Sequence, residues 1–157
     1  MIAAAQYGNW WINTAVVILT ISAVAASALV HYEGLSWLNR VLARGGKAHR
    51  RVVLYAILAI IVLHIAEIWI FALTYHLLLL WPAAGHLSGA IGRSVLDHVY
   101  FSATVFTTVG FGDLSPSGPI RFLAGTEGLT GLVLIGWSAS FTYIEMERLW
   151  RGAGKRD

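Results

Sequence analysis

Apolar positions in this chain fall in three long blocks, separated by short polar or glycine-rich stretches. Trp10 to about Val30 contains no charged residue, and Val52 to about Leu80 contains one, Glu67. The third block, Ile120 to about Leu149, carries Glu127 in its first half. About 20 apolar residues cross a bilayer as a helix, so each block predicts a membrane-spanning helix. A shorter stretch, Val95 to Thr107, gives roughly 20 Å of helix at about 1.5 Å per residue. That is too short to span, and it predicts a re-entrant helix shielded from lipid by the rest of the protein. Ser94 and Asp97 form a capping-box pair at its start. Pro82 follows the second block, and Pro119 suits the first position of the third long helix. The expected fold is an all-α integral membrane protein with three transmembrane helices, a re-entrant helix and the loop after it.

Composition narrows the class. The chain is 57% hydrophobic and 12% charged, which excludes an ordinary soluble domain of this size. Its basic balance does not point to nucleic acid, because the charges sit at span ends and between spans. Arg40, Arg44, Lys47, Arg50 and Arg51 fall on one side with Arg148, Arg151, Lys155 and Arg156, while Arg93 and Arg121 fall on the other. The positive-inside bias then places the N-terminus outside and the C-terminus in the cytoplasm, across a plasma membrane. Residues 31–51 are expected to form a cytoplasmic loop with a flexible break at Gly45-Gly46. A second reading has a surface helix from Gly34 to Arg44, with Leu35, Leu38, Val41 and Leu42 lying on anionic lipid. Three units follow: a first helix and basic loop over 1–51, a central unit over 52–149, and a basic tail over 150–157. The absence of cysteine excludes disulfides and thiolate metal sites. The first span has no arginine ladder and is not a voltage sensor.

The acids inside the spans are candidate functional residues, because burying a carboxylate in hydrocarbon is costly. His64 and Glu67 share a helical face, three residues apart. That pair alone offers too few ligands for a metal, so Glu67 is expected either to be protonated or to hydrogen-bond His64 or a neighbouring helix. For Glu127, which the family likeness given below implies to lie close behind the loop, a buried hydrogen bond to that loop or to the re-entrant helix is expected first, and an inert protonated acid second. No His-Glu-x-x-His motif or nucleophile–base arrangement argues for an enzyme.

The loop after the short helix reads Thr107-Thr108-Val109-Gly110-Phe111-Gly112-Asp113. This string, between two spans and after a short helix, resembles the signature filter of the potassium channel pore-domain family. The likeness extends over about residues 52–149, which resemble the two-helix bacterial members, with one extra N-terminal helix here. Physical chemistry explains why such residues suit ion conduction. A potassium ion that sheds water needs replacement oxygens at once. Successive carbonyls can all face one axis if the backbone alternates between left- and right-handed conformations, and glycine tolerates the positive φ this requires. Gly110 and Gly112 alternate with Val109 and Phe111, whose side chains then pack behind the loop.

The resemblance implies a homotetramer in lipid that binds K+ at the carbonyls of Thr108, Val109, Gly110 and Phe111, with Gly112 completing the filter. It implies no other cofactor and names no regulatory partner. Thr107, Asp113, Tyr100, Phe101 and Thr104 match filter-supporting positions. Phe111 replaces the commoner tyrosine, and Thr104 stands where some members carry a glutamate, so Asp113 is expected to bond Tyr100 or Thr104. Val133, Gly136 and Ser140 match the cavity and gate lining, and Gly131 lies one place from the family's hinge glycine. A weakly selective cation channel, and a non-conducting membrane scaffold or receptor with a pore-like loop, remain open alternatives.

Overall fold

The computed structural model describes residues 9–44, 50–89 and 94–153. The Gly45-Gly46 break, Lys47, Arg93, Lys155 and Arg156 lie outside the described residues. Among the described residues, four α-helices and two short strands follow in order, with a single 3-10 turn at Pro82–Ala84 before the first strand: α1 (Trp10–Arg44), α2 (Arg50–Leu78), β1 (His86–Ser88), α3 (Val95–Phe106), β2 (Ser115–Ser117) and α4 (Ile120–Ala153). Of these, α1, α2 and α4 are long and apolar enough to cross a membrane. The chain is therefore a multi-pass, all-α membrane protein.

α1 departs from expectation. It does not stop near Val30 but runs unbroken for 35 residues, and His31 lies inside it, not in a loop. The reason is a buried stripe. His31, Leu35 and Leu38 are buried at spacings of four and three, which keeps them on one helical face. Leu35 and Leu38 pack against Ala56 and Ile60 of α2, with Leu42 beside them. The face expected to lie on lipid headgroups meets protein instead, and only Val41 of that set stays exposed. α1 thus rests on both α2 and α4.

α3 begins as its sequence predicts. The Ser94 side chain accepts from the Leu96 N–H, and the Ser94 N–H donates to Asp97 Oδ2 at 3.1 Å. This box satisfies backbone donors that the first helical turn leaves free. α3 lies between α2 and α4, with Phe101 and Phe106 buried among Phe71, Tyr75, Leu78, Ile120 and Leu123. In hydrocarbon such burial gains little from the hydrophobic effect, so close fit and polar contacts hold the helices together.

The two strands were not foreseen. β1 pairs antiparallel with β2, His86 opposite Ser117 and Ser88 opposite Ser115. Three-residue strands carry no periodic signal, and Pro116 in β2 reads as loop. Together they clip the segment after α2 to the segment after the 107–113 loop.

α4 continues through its glycines without a break. At Gly131 the helix presses on the end of α3, where an added Cβ would lie 2.0 Å from the Phe106 carbonyl oxygen. Gly125 faces open space in the same helix. Alanine gains up to about 1 kcal/mol over glycine in a helix, but overpacking costs about 1–3 kcal/mol. Gly131→Ala should therefore lower the thermal stability of the purified protein, while Gly125→Ala should hold or raise it. Equal melting temperatures for the two variants would contradict the close approach.

Candidate functional site

The loop Thr107–Asp113 emerges from the C-terminal end of α3. Two backbone bonds fold it back on that helix, from Thr108 N–H to Val105 O at 2.9 Å and from Gly110 N–H to Thr104 O at 3.1 Å. φ is positive at Thr108 (60°), Gly110 (51°) and Gly112 (79°), and not at the intervening Val109 and Phe111. The alternation expected from the glycines is present, and it begins one step earlier, at a threonine. A β-branched residue in this region is a backbone outlier, costing of order 1–2 kcal/mol. Strain of this kind is tolerated only where the surroundings impose it, and it concentrates at functional sites. No residue type in the sequence could have announced it.

Side chains of the loop remain uncovered within one chain. Val109 is 55% exposed and Phe111 71%. Thr107 keeps its hydroxyl on Ala103 O at 2.7 Å. At the far end Tyr100 Oη donates to Asp113 Oδ2 at 2.7 Å. This is the Tyr100 half of the expected pairing. The Thr104 hydroxyl turns instead to Phe101 O at 2.8 Å, and Thr104 serves the loop through its carbonyl. Phe101 is buried and meets Tyr75 edge-on at 5.1 Å, so it belongs to the core between α2 and α3. Val133, Gly136 and Ser140 lie together on an exposed face of α4.

Glu127 stands against α3 at Ser102. Ser102 Oγ lies within hydrogen-bond distance of its Oε1, and Tyr75 Oη donates to Oε2 at 2.7 Å. The acid therefore joins α4 to α3, as expected, and also to α2. Tyr75 and Ser102 were missed in the sequence, where nothing separates them from other scattered polar residues in the spans. Ser102 Oγ is also 2.9 Å from Ile68 O. One hydroxyl hydrogen cannot serve two acceptors. The count closes when Glu127 is the neutral acid, donating from Oε1 to Ser102, which passes its own hydrogen to Ile68.

A second buried acid ties in α1. Glu67 Oε1 meets His31 Nδ1 at 2.7 Å, and Oε2 meets His64 Nδ1 at 2.8 Å. Ser138 Oγ of α4 lies 3.5 Å from His31 Nε2. The His64 ring sits 5.8 Å from that of Phe106, the last residue of α3. The sequence pointed to His64 with Glu67, but it left His31 outside the span.

A re-entrant helix and strained loop, held between two membrane-spanning helices, define a pore-loop membrane protein. Residues 52–148 match the profile of a family described as ion channel, and the match covers more than half of the chain, so the chain belongs to that ion channel family. No curated protein and no solved structure matches it. The matched segment holds α3, the loop and nearly all of α2 and α4.

Two tests probe the site. Glutamine at 127 can donate to Ser102 and accept from Tyr75, whereas leucine takes the acceptor from the Tyr75 hydroxyl and leaves Ser102 with Ile68 O alone. A buried polar group without its partner costs about 1–3 kcal/mol, so Glu127→Leu should melt well below the native protein and Glu127→Gln close to it. A Gln variant as unstable as Leu would refute the neutral-acid network. The hydrogen bond to Asp113 raises the Tyr100 phenol above its ordinary value of about 10. The bond is then intact below that value and is lost as pH rises through the elevated one. Tyrosinate absorbance, taken as the native chain minus Tyr100→Phe, should show one late-titrating phenol that shifts to lower pH in Asp113→Asn.

Proposed function

We propose that the chain is one subunit of a homotetrameric, potassium-selective channel that passes K+ down its electrochemical gradient. The observation that carries this reading is the alternating φ at Thr108, Gly110 and Gly112. That alternation is the backbone form in which consecutive carbonyls line one wall of an ion path. The carbonyls of Thr108, Val109, Gly110 and Phe111 would replace the water of a K+ ion, with neighbouring ions repelling one another forward.

One chain supplies one wall, so an axis must be closed by further copies. Exposed Val109 and Phe111 favour this, because large apolar side chains beside the loop need neighbours that a single chain lacks. The exposed face of Val133, Gly136 and Ser140 suits the inner cavity and gate. Gly131 suits a fixed point against Phe106, about which the inner half of α4 would move. In this reading residues 52–149 form the conducting unit, 1–51 a helix added to it with its basic connection, and 150–157 a basic tail. The charge bias puts the N-terminus outside and both basic segments on the cytoplasmic, anionic-lipid side.

Purified protein in liposomes should release K+ far faster than Na+, and barium should stop it. Gly110→Ala, which forces a side chain into positive φ, should abolish the flux while leaving the assembly intact. Native mass spectrometry should count four chains. Equal K+ and Na+ rates would replace this reading with a weakly selective cation pore, and no flux at all would leave a membrane scaffold.

A further inference from the structure

Three metal-competent side chains converge where none of the loop chemistry needs them. His31 of α1 and His64 and Glu67 of α2 bring one ligand atom each within 4.8 Å of one another. His31 and Glu67 are fully buried, and His64 keeps 17% of its side chain accessible. We propose that His31, His64 and Glu67 form a binding site for a divalent transition-metal ion, with Zn2+ the fitting probe, which clamps α1 onto α2.

The donor set is the first argument. Two imidazoles and one carboxylate make up a common three-ligand site for zinc and related ions, with a further position left for water or a hydroxyl. Residues three apart lie on one face of a helix, so His64 and Glu67 can reach the same ion. The third ligand here comes from a separate helix, so the ion would bridge two elements.

The geometry of the nitrogens is the second. Both imidazoles present Nδ1 to the carboxylate, one to each oxygen. Without metal, each Nδ1–H donates to Glu67. With metal, each ring carries its hydrogen on Nε2 and offers the Nδ1 lone pair to the ion. Metal-binding histidines usually donate their other N–H to a fixed partner. His31 has that partner in place, because Ser138 Oγ lies 3.5 Å from its Nε2. The same hydroxyl donates to Nε2 in the metal-free state and accepts from it in the metal-bound one.

The fit requires a small movement. Ligands about 2.1 Å from a tetrahedral ion stand about 3.4 Å apart, against 2.7 and 2.8 Å between the nitrogens and oxygens here. The nitrogen–oxygen contacts must open by roughly 0.6–0.7 Å. His64, with one accessible edge, has room for this and offers the way in.

The test uses the full chain in detergent, without a histidine tag. Equilibrium dialysis against Zn2+ with elemental analysis should find about one ion per chain. Co2+ in its place should give the visible absorption bands of a tetrahedral nitrogen–oxygen site. His64→Gln and Glu67→Gln should each weaken binding at least tenfold and remove those bands, with the size-exclusion profile unchanged. The competing pair is His76 and His98, whose rings lie 5.3 Å apart. A His76→Gln, His98→Gln double variant should bind as the native chain does. Absence of binding to the native chain, binding that survives both single substitutions, or binding lost in the double variant would each overturn the proposal. None of these outcomes depends on whether the chain conducts K+.

Discussion

Glu127 is the joint on which the ion channel unit depends. Its two oxygens reach Tyr75 on α2 and Ser102 on α3, while its own backbone belongs to α4. Inside a bilayer there is no water to take over a lost partner, so polar groups between spans must find one another. A helix as short as α3 cannot hold itself at membrane depth. It stays because one carboxyl group ties it to both neighbours and because Gly131 lets α4 come into contact with its last turn. The loop at 107–113 inherits its position from that anchorage. Its strained Thr108 is tolerated because Val105 O accepts the Thr108 N–H and Thr104 O, on the same helix, accepts the Gly110 N–H two residues on.

The two intramembrane acids divide the labour. Glu127 works within the matched channel segment, and Glu67 faces outward from it to His31. α1 is therefore not a loosely appended strap. It shares a buried polar contact with α2, reaches Ser138 on α4, and lays an apolar stripe on Ala56 and Ile60. The contact between the His64 and Phe106 rings brings this second polar centre next to the end of α3.

Much of this was legible in the chain. The ends of α2, α3 and α4 follow Pro82, the Ser94–Asp97 box and Pro119, because these residues act locally on a few backbone groups. The loop was legible because its glycines meet a backbone demand that other residues do not. The extension of α1 was not. Leu35, Leu38 and Leu42 form the same stripe whether they meet acyl chains or another helix, and both partners are apolar. The sequence therefore cannot choose between them. Tyr75, Ser102 and His31 stayed hidden for a different reason. Their partners lie 52, 25 and 36 residues away, beyond any spacing rule that a single helix provides. Thr108 defied its own propensity, with its N–H held by Val105 O and the next turn of the loop held by Thr104 O.

The continuity of α1 has a mechanical corollary. A helix of 35 residues is roughly 50 Å long, well beyond the roughly 30 Å of hydrocarbon it has to cross. His31, just past its midpoint, and Leu42 near its C-terminal end belong to one stiff rod, so torsion applied at one is felt at the other. Inserting a single residue between them would turn the lower half by about 100° against the upper. The imidazole and the leucines could then no longer face α2 together. Evolution can lengthen this rod only in near-whole turns.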